Sequence, residues 1–205
     1  MFTGLIREMA DVVSYRNNLL TLKAAYRPKI GDSVAVNGAC LTVVRVGDGT
    51  FSVELADETR RTIAMENLKG RVHIEPAMRM GDRFEGHIVQ GHVDTVGTVT
   101  SIQKRTNGTD FFITIPKAYL AYVIPKGSVT VDGVSLTVND VTDEGFRLTI
   151  IPHTLENTLF SAYRVGTRVN VETDLFARYV ANILDKREAA KRERWERVER
   201  FEALF

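Results

Sequence analysis

Cys40 is the one thiol of the chain, and it stands in a phrase that recurs with a hydroxyl in its place. The first copy is Asn37-Gly38-Ala39-Cys40-Leu41-Thr42-Val43 and the second Asp132-Gly133-Val134-Ser135-Leu136-Thr137-Val138. A thiol or hydroxyl can add to an electrophilic carbon or pass on a proton. Residues two apart on a strand share a face, so Cys40 with Thr42, and Ser135 with Thr137, are expected to present paired polar groups on one side of each copy. A lone cysteine is more often a small apolar filler than a nucleophile; the serine at the matching place is what argues for chemistry.

Among the four histidines, His73, His87, His92 and His153, His92 carries the strongest signal. It follows Gln90-Gly91, where glycine lets a ligand approach the backbone, and imidazole titrates near neutrality. An ordinary hydrogen-bonded surface histidine is the competing reading. His73 falls in a strand with a structural pattern. The gap between His87 and His92 fits neither one helix face nor one strand face, and the only cysteine is far away, so no metal site is expected. Phosphate loops, dinucleotide fingerprints, nucleophile elbows and calcium loops have no match in the sequence.

These residues are positioned by a duplicated scaffold. Asn37 and Asp132, Cys40 and Ser135, Phe51 and Phe146, and Thr59 and Thr154 are all 95 residues apart. A repeat of that length is a whole domain copied, since solenoid repeats run to roughly 20–50 residues. A weaker match links Phe2-Thr3-Gly4-Leu5-Ile6 to Val89-Gln90-Gly91-His92-Val93, so copy one is expected over 1–83 and copy two over 84–173, joined through a linker at 77–85. Short Val-, Ile-, Thr- and Phe-rich segments predict strands at 33–36, 41–46, 51–55, 72–75, 111–115, 129–131, 136–141, 146–151 and 169–172. Asn37-Gly38 and Asp132-Gly133 are hairpin turns of the kind that needs positive φ. Many short strands so spaced predict an all-β chain of small closed antiparallel barrels, with short helical stretches at 67–68 and 117–123.

From Asp174 the pattern changes. Asp174 can cap a helix, no Gly or Pro follows, and Phe176, Val180, Ile183, Ala190, Val198, Phe201 and Phe205 approximate a three-to-four spacing. Glu188–Arg192, Glu193–Arg197 and Glu196–Arg200 are i,i+4 pairs that suit a solvated face. A helix over 174–205 cannot bury such a stripe on two small barrels, so an oligomerisation helix is expected; a solvated tail is the alternative.

The composition is that of an ordinary soluble globular chain. A formal charge of +1 carries no general nucleic-acid or membrane signal, and no apolar run approaches the ~20 residues of a membrane span. A single cysteine and the absence of a signal-peptide pattern predict a reducing, cytoplasmic setting.

Met1-Phe2-Thr3-Gly4-Leu5, Asn37 to Val43, Gly86-His87-Ile88-Val89-Gln90-Gly91-His92-Val93-Asp94 and Asp132 to Val138, in this order, resemble the α-type riboflavin synthase family over about residues 1–175. The resemblance implies two six-stranded, Greek-key-like barrels and a trimerisation helix. It implies a cofactor-free dismutation in which one 6,7-dimethyl-8-ribityllumazine gives a four-carbon unit to another, yielding riboflavin and 5-amino-6-ribitylamino-2,4-pyrimidinedione. The active site would lie between the N-terminal barrel of one subunit and the C-terminal barrel of its neighbour. Carried over by motif, Cys40, His92, Ser135 and Thr137 are the catalytic candidates. Gly38, Thr42, Glu58, Thr59 and Val93 in one copy, with Lys126, Gly133, Ile151, Thr154 and Asp174 in the other, are the substrate-binding candidates. A homotrimer is the implied assembly, and lumazine synthase is a further candidate partner of the charged helix. The chain departs from the family at Ala39, at Glu85 and in a short loop between Ser14 and Lys29.

Two rival readings share the fold. A non-catalytic lumazine- or flavin-binding antenna protein would lose the second polar signature and the Gly-His motif, both intact here. A flavin barrel from a reductase would be followed by a nucleotide-binding domain, for which the sequence after Asp174 has no pattern.

Overall fold

The structure, a computed structural model, describes residues 1–202. Phe205 of the expected helix stripe, and the side chains of Val198 and Phe201, lie outside the described residues. Strands β1 (Glu8–Arg16), β2 (Leu19–Lys23), β3 (Ser33–Val36), β4 (Ala39–Val46), β5 (Thr50–Glu54) and β6 (Arg71–Pro76) close a barrel in the order β1-β2-β5-β4-β3-β6. Strands β7 (Thr95–Arg105), β8 (Gly108–Thr114), β9 (Ser128–Val131), β10 (Val134–Val141), β11 (Gly145–Ile150) and β12 (Arg168–Thr173) repeat it as β10-β11-β8-β7-β12-β9. Every neighbouring pair within the strand rings is antiparallel. Closure removes the open edges that a six-stranded sheet would otherwise expose.

Bulges recur at matching places: Val43/Arg45 and Val138/Asp140 on the site strands, Val12/Ser14 and Val99/Ser101 on the leading ones. Each adds a residue to one strand and sharpens its bend, which lets so few strands close. Each barrel fills its own core. Leu20, Leu22, Val34, Leu41, Val43, Phe51, Val53 and Ile74 fill the first; Phe111, Ile113, Val129, Val138, Phe146, Leu148 and Val171 fill the second.

Strands β1, β2 and β7 have no counterpart in the sequence reading. β1 lacks a clean apolar alternation, and its hairpin to β2 turns on Asn17-Asn18, both at positive φ. Helices α1 (Asp57–Thr62), α2 (Lys117–Leu120) and α3 (Pro152–Asn157) are short. α1 and α3 occupy equivalent places and are too brief for a periodic signal. Helix α4 spans Leu175–Glu202, capped by Asp174, whose Oδ1 accepts the Ala177 N–H at 3.0 Å. Among the described residues no helix is long and apolar enough to cross a membrane.

The barrels exchange their leading segments. Phe2 and Val89 pair antiparallel, with Phe2 N–H donating to Val89 O at 2.8 Å and Val89 N–H to Phe2 O at 3.1 Å. From this crossing, residues 3–5 run onto the second barrel and residues 90–93 onto the first. The seam below is a buried polar network with near two-fold symmetry. His73 N–H donates to Asn37 Oδ1, and Asn170 N–H to Asp132 Oδ1, both at 2.8 Å. Across the seam, His73 Nδ1 bonds Asp132 O at 2.9 Å and Asn170 Nδ2 donates to Asn37 O at 2.8 Å. The other end of each side chain accepts a backbone N–H: Leu159 on His73 Nε2, Ala64 on Asn170 Oδ1, both at 2.7 Å. Since Nε2 accepts, His73 carries its proton on Nδ1. Buried polar groups cost stability unless paired, and here the side chains of His73 and Asn170 are paired with the opposite copy at both ends.

Candidate active site

Strand β4 alternates between core and surface. Leu41 and Val43 point inward, while Cys40 and Thr42 face out of the barrel, Cys40 half-buried and Thr42 exposed. Cys40 is shielded by the exchanged segment: its N–H donates to Gly91 O at 2.8 Å. A Cβ on Gly91 would lie 2.6 Å from the Cys40 Cβ, so only glycine allows this approach. Ala39, Cys40, Glu58, Thr59, Thr62, Ile63, Gly91, His92 and Val93 line an open cleft of about 320 Å³. Helix α1 supplies Glu58, Thr59 and Thr62; the exchanged segment supplies His92, exposed above Cys40's strand.

The second barrel repeats the arrangement with different groups. Ser135 is half-buried on β10 and its N–H donates to Gly4 O at 2.7 Å. A Cβ on Gly4 would meet the Ser135 Cβ at 2.6 Å. His87 Nδ1 and Ser135 Oγ share a hydrogen bond of 2.7 Å. Burial pushes the His87 imidazolium pKa down, opposed by the nearby Asp174 carboxylate, which favours the neutral ring beside the serine hydroxyl. Cys40 has no such hydrogen-bonded imidazole among the described residues. The two copies therefore hold unlike chemistry at matching positions.

A buried carboxylate anchors each exchanged segment. Glu75 accepts the N–H groups of Thr3 (2.8 Å) and Gly4 (3.0 Å) and the Thr3 hydroxyl (3.1 Å). Glu172, at the equivalent place on β12, accepts Gln90, Gly91 and His92 N–H at 2.8, 2.9 and 3.1 Å. Burial raises both carboxyl groups, Glu172 to about 7, against the lowering effect of these donors and of Arg178.

The sequence-predicted residues fall into three places. Cys40, Glu58, Thr59, His92 and Val93 meet at the first cleft, with Thr42 further along the same strand face. Ser135 stands with His87 and Asp174 on the second barrel, and exposed Thr137 lies on its strand face. Ile151 and Thr154 lie at the start of α3, equivalent to α1, and Lys126 has positive φ just before β9. Gly38 and Gly133 are in neither group: they are buried against each other in the seam between the barrels. Sequence reasoning did not select His87, Glu75, Glu172 or Arg178. The two glutamates could have been found as the buried position in Arg71-Val72-His73-Ile74-Glu75 and Arg168-Val169-Asn170-Val171-Glu172, a repeat with a carboxylate at its end. Among the described residues, no His, Cys, Asp and Glu cluster is set to hold a metal ion.

Two duplicated barrels, each crossed on its outer face by a segment from the other, define a tandem lumazine-binding protein: residues 3–77 and 90–174 each match the lumazine-binding domain family. The chain belongs to the riboflavin synthase family, a family of enzymes of riboflavin biosynthesis. It is 42% identical over 195 residues to the riboflavin synthase of Photobacterium phosphoreum, covering 90% of this chain and 89% of that one. With the Bacillus subtilis enzyme it shares 36% over 195 residues, 91% of each chain. The fold is also that of LumP in its crystal structure with riboflavin, at a TM-score of 0.75 and 21% identity over 85% of this chain and all of LumP.

Proposed function

We propose that the protein catalyses the dismutation of two 6,7-dimethyl-8-ribityllumazine molecules to riboflavin and 5-amino-6-ribitylamino-2,4-pyrimidinedione. The observation that carries this reading is the pair of equivalent strand positions with unlike polar surroundings, Cys40 sharing a cleft with His92 and Ser135 bonded to His87. Two identical substrates then meet different surroundings, one suited to lose a proton from its 7-methyl group and the other to be attacked at ring carbon 7. Atoms balance between two substrates and two products with no water or redox partner. The largest contribution to rate is the holding of two rings in register. His92 relays protons at the first cleft. Addition at carbon 7 is assisted on whichever side holds the acceptor, either by Ser135 Oγ with His87 as its hydrogen-bond partner or by the Cys40 thiol.

Within one chain the first cleft contains no residue of the second barrel's strands, which supports a site in which the two rings meet across an interface between subunits. Phe176, Tyr179, Val180, Ile183 and Leu184 are exposed along α4, which supports a homotrimer joined through this helix. The units are then 1–83, 84–173 and 174–205, acting in the cytoplasm, where a lone thiol stays reduced; lumazine synthase remains a candidate for the charged end of α4. LumP, on the same fold, has been crystallised with 6,7-dimethyl-8-(1'-D-ribityl)lumazine, which supports the choice of ligand and defines the rival reading of binding without turnover. Incubating the purified protein with this lumazine alone and following flavin absorbance separates the two. Growth of the flavin band supports the synthase; binding without flavin formation overturns it in favour of an antenna protein.

A further inference from the structure

We propose that Arg178 is a positioning residue for the reaction: from helix α4 it sets the place of the Gly91-His92 segment over the Cys40 cleft. This rests on the reading of His92 as a group that acts on substrate. Arg178 Nη1 donates to Asp94 Oδ1 and Nη2 to Gln90 Oε1, both at 2.9 Å. Gln90 and Asp94 bracket Gly91-His92-Val93, so one planar guanidinium ties both ends of the segment. Nη2 also lies 3.8 Å from Glu172 Oε1, the carboxylate that accepts three consecutive N–H groups of the same segment. Asp94 is held on its other oxygen by the Thr173 N–H and hydroxyl, both at 2.7 Å. The segment is thus fixed to β12 from below and to α4 from the side. A lysine has the charge but not the two-pronged geometry to bind both ends.

The first copy shows what the arginine adds. Glu75 grips Thr3 and Gly4 as Glu172 grips Gln90 and Gly91, yet no arginine among the described residues closes within ion-pair distance of it. Asp94 corresponds to Arg7, and the position that matches Arg178 is Gly81 in the linker. The cation is present only for the segment that carries a histidine into a cleft. Arg178 also lies between Ala177 and Tyr179, on the turn of α4 where Phe176, Tyr179 and Val180 are exposed. Any subunit contact that seats this turn is therefore linked through Arg178 to Gln90 and Asp94, the two residues that flank Gly91-His92-Val93. Without the guanidinium, Asp94 and buried Glu172 lose the cation between them, and the segment loses both side ties while its N–H bonds to Glu172 remain.

The test is a double-mutant cycle on the full-length protein with Arg178→Gln, Arg178→Lys, His92→Gln and the Arg178→Gln/His92→Gln pair. The readouts are single-turnover flavin formation, lumazine affinity and molar mass by light scattering. R178Q is expected to lower the rate roughly tenfold with affinity and mass unchanged, R178K to recover part of it, and R178Q to add no further loss in the H92Q background. Should R178Q not stay assembled, R178K carries the comparison, its smaller loss again vanishing beside H92Q. Equal losses with and without His92, or an unchanged R178Q rate beside a slow H92Q, would overturn the positioning role and leave the His92 reading standing. An unchanged H92Q rate would overturn that reading and this inference with it.

Discussion

Gly38 and Gly133 pack face to face in the seam between the barrels, so closely that a Cβ on Gly38 would lie 2.7 Å from Gly133 N and one on Gly133 would lie 2.8 Å from Gly38 N. Both sit at positive φ, +84° and +81°, where an L side chain is strained. The repeated turn that marks the duplication is thus also the point where its two products touch.

Gly38→Ala and Gly133→Ala should each destabilise the fold. Left-handed strain costs about 1 kcal/mol and overpacking about 1–3 kcal/mol, for a total near 2–4 kcal/mol. Urea unfolding followed by tyrosine and tryptophan fluorescence measures it. A loss under about 0.5 kcal/mol would show that the barrels can part at this point without cost.

His73 gives a pH dependence whose sign can be worked out. Burial lowers its pKa from 6.5 to about 4, against the raising effect of its bond to the Asp132 carbonyl. The unfolded chain therefore binds this proton more readily. The stability it contributes is present above about 6.5 and is lost as pH falls towards 4, by on the order of 3 kcal/mol. Asn170 makes the equivalent pair of bonds without titrating, so His73→Asn can keep the network. The stability difference between wild type and H73N should be flat above pH 7 and move in favour of H73N as pH drops to 4. Asp132 and Glu172, raised to about 7 by burial, titrate in both proteins and cancel. A pH-independent difference would remove His73 as the source.

At the clefts, Cys40→Ser, His92→Gln and His87→Gln should each slow flavin formation about 10–100-fold while lumazine affinity changes no more than about threefold. The unlike partners predict an asymmetry. Ser135→Ala, which empties the His87 hydrogen bond, should mimic H87Q, and the double variant should be no slower than either single one. Multiplying losses would show that His87 and Ser135 act separately.

For α4, Phe176, Tyr179, Val180, Ile183 and Leu184 form an exposed apolar cluster before residue 186, and beyond it Trp195 stands apart among the described residues. Deleting 186–205 should leave the molar mass of the assembly unchanged, whereas Val180→Asp with Ile183→Asp should give monomers that bind lumazine but form no riboflavin. Light scattering beside a turnover assay decides it; active monomers would place a complete site within one chain.

Much of this was legible in the sequence because it is local or repeated. The hairpin turns follow from Asn-Gly and Asp-Gly, the outward face of Cys40 and Thr42 from the period of a strand, and the cap at Asp174 from its place before an unbroken helical run. The duplication made each observation count twice, and the motif order identified the family. By contrast, β1 and β7 were hidden because bulges at Val12/Ser14 and Val99/Ser101 interrupt the alternation that marks a strand, and β2 because it is only five residues long.

The site was divided in the same way. Residue types determined that Cys40, Ser135 and His92 could do chemistry. Only the tertiary structure decided that His92 lies over Cys40 and His87 against Ser135, because leading segments are exchanged across a two-fold seam and spacing along the chain does not record which barrel a segment covers. It also moved Gly38 and Gly133 from the cleft to the seam, and drew Arg178 and Glu172 into the support of His92. Those contacts join residues some 80 positions apart; they arise from burying a carboxylate against three N–H groups, a condition set by packing.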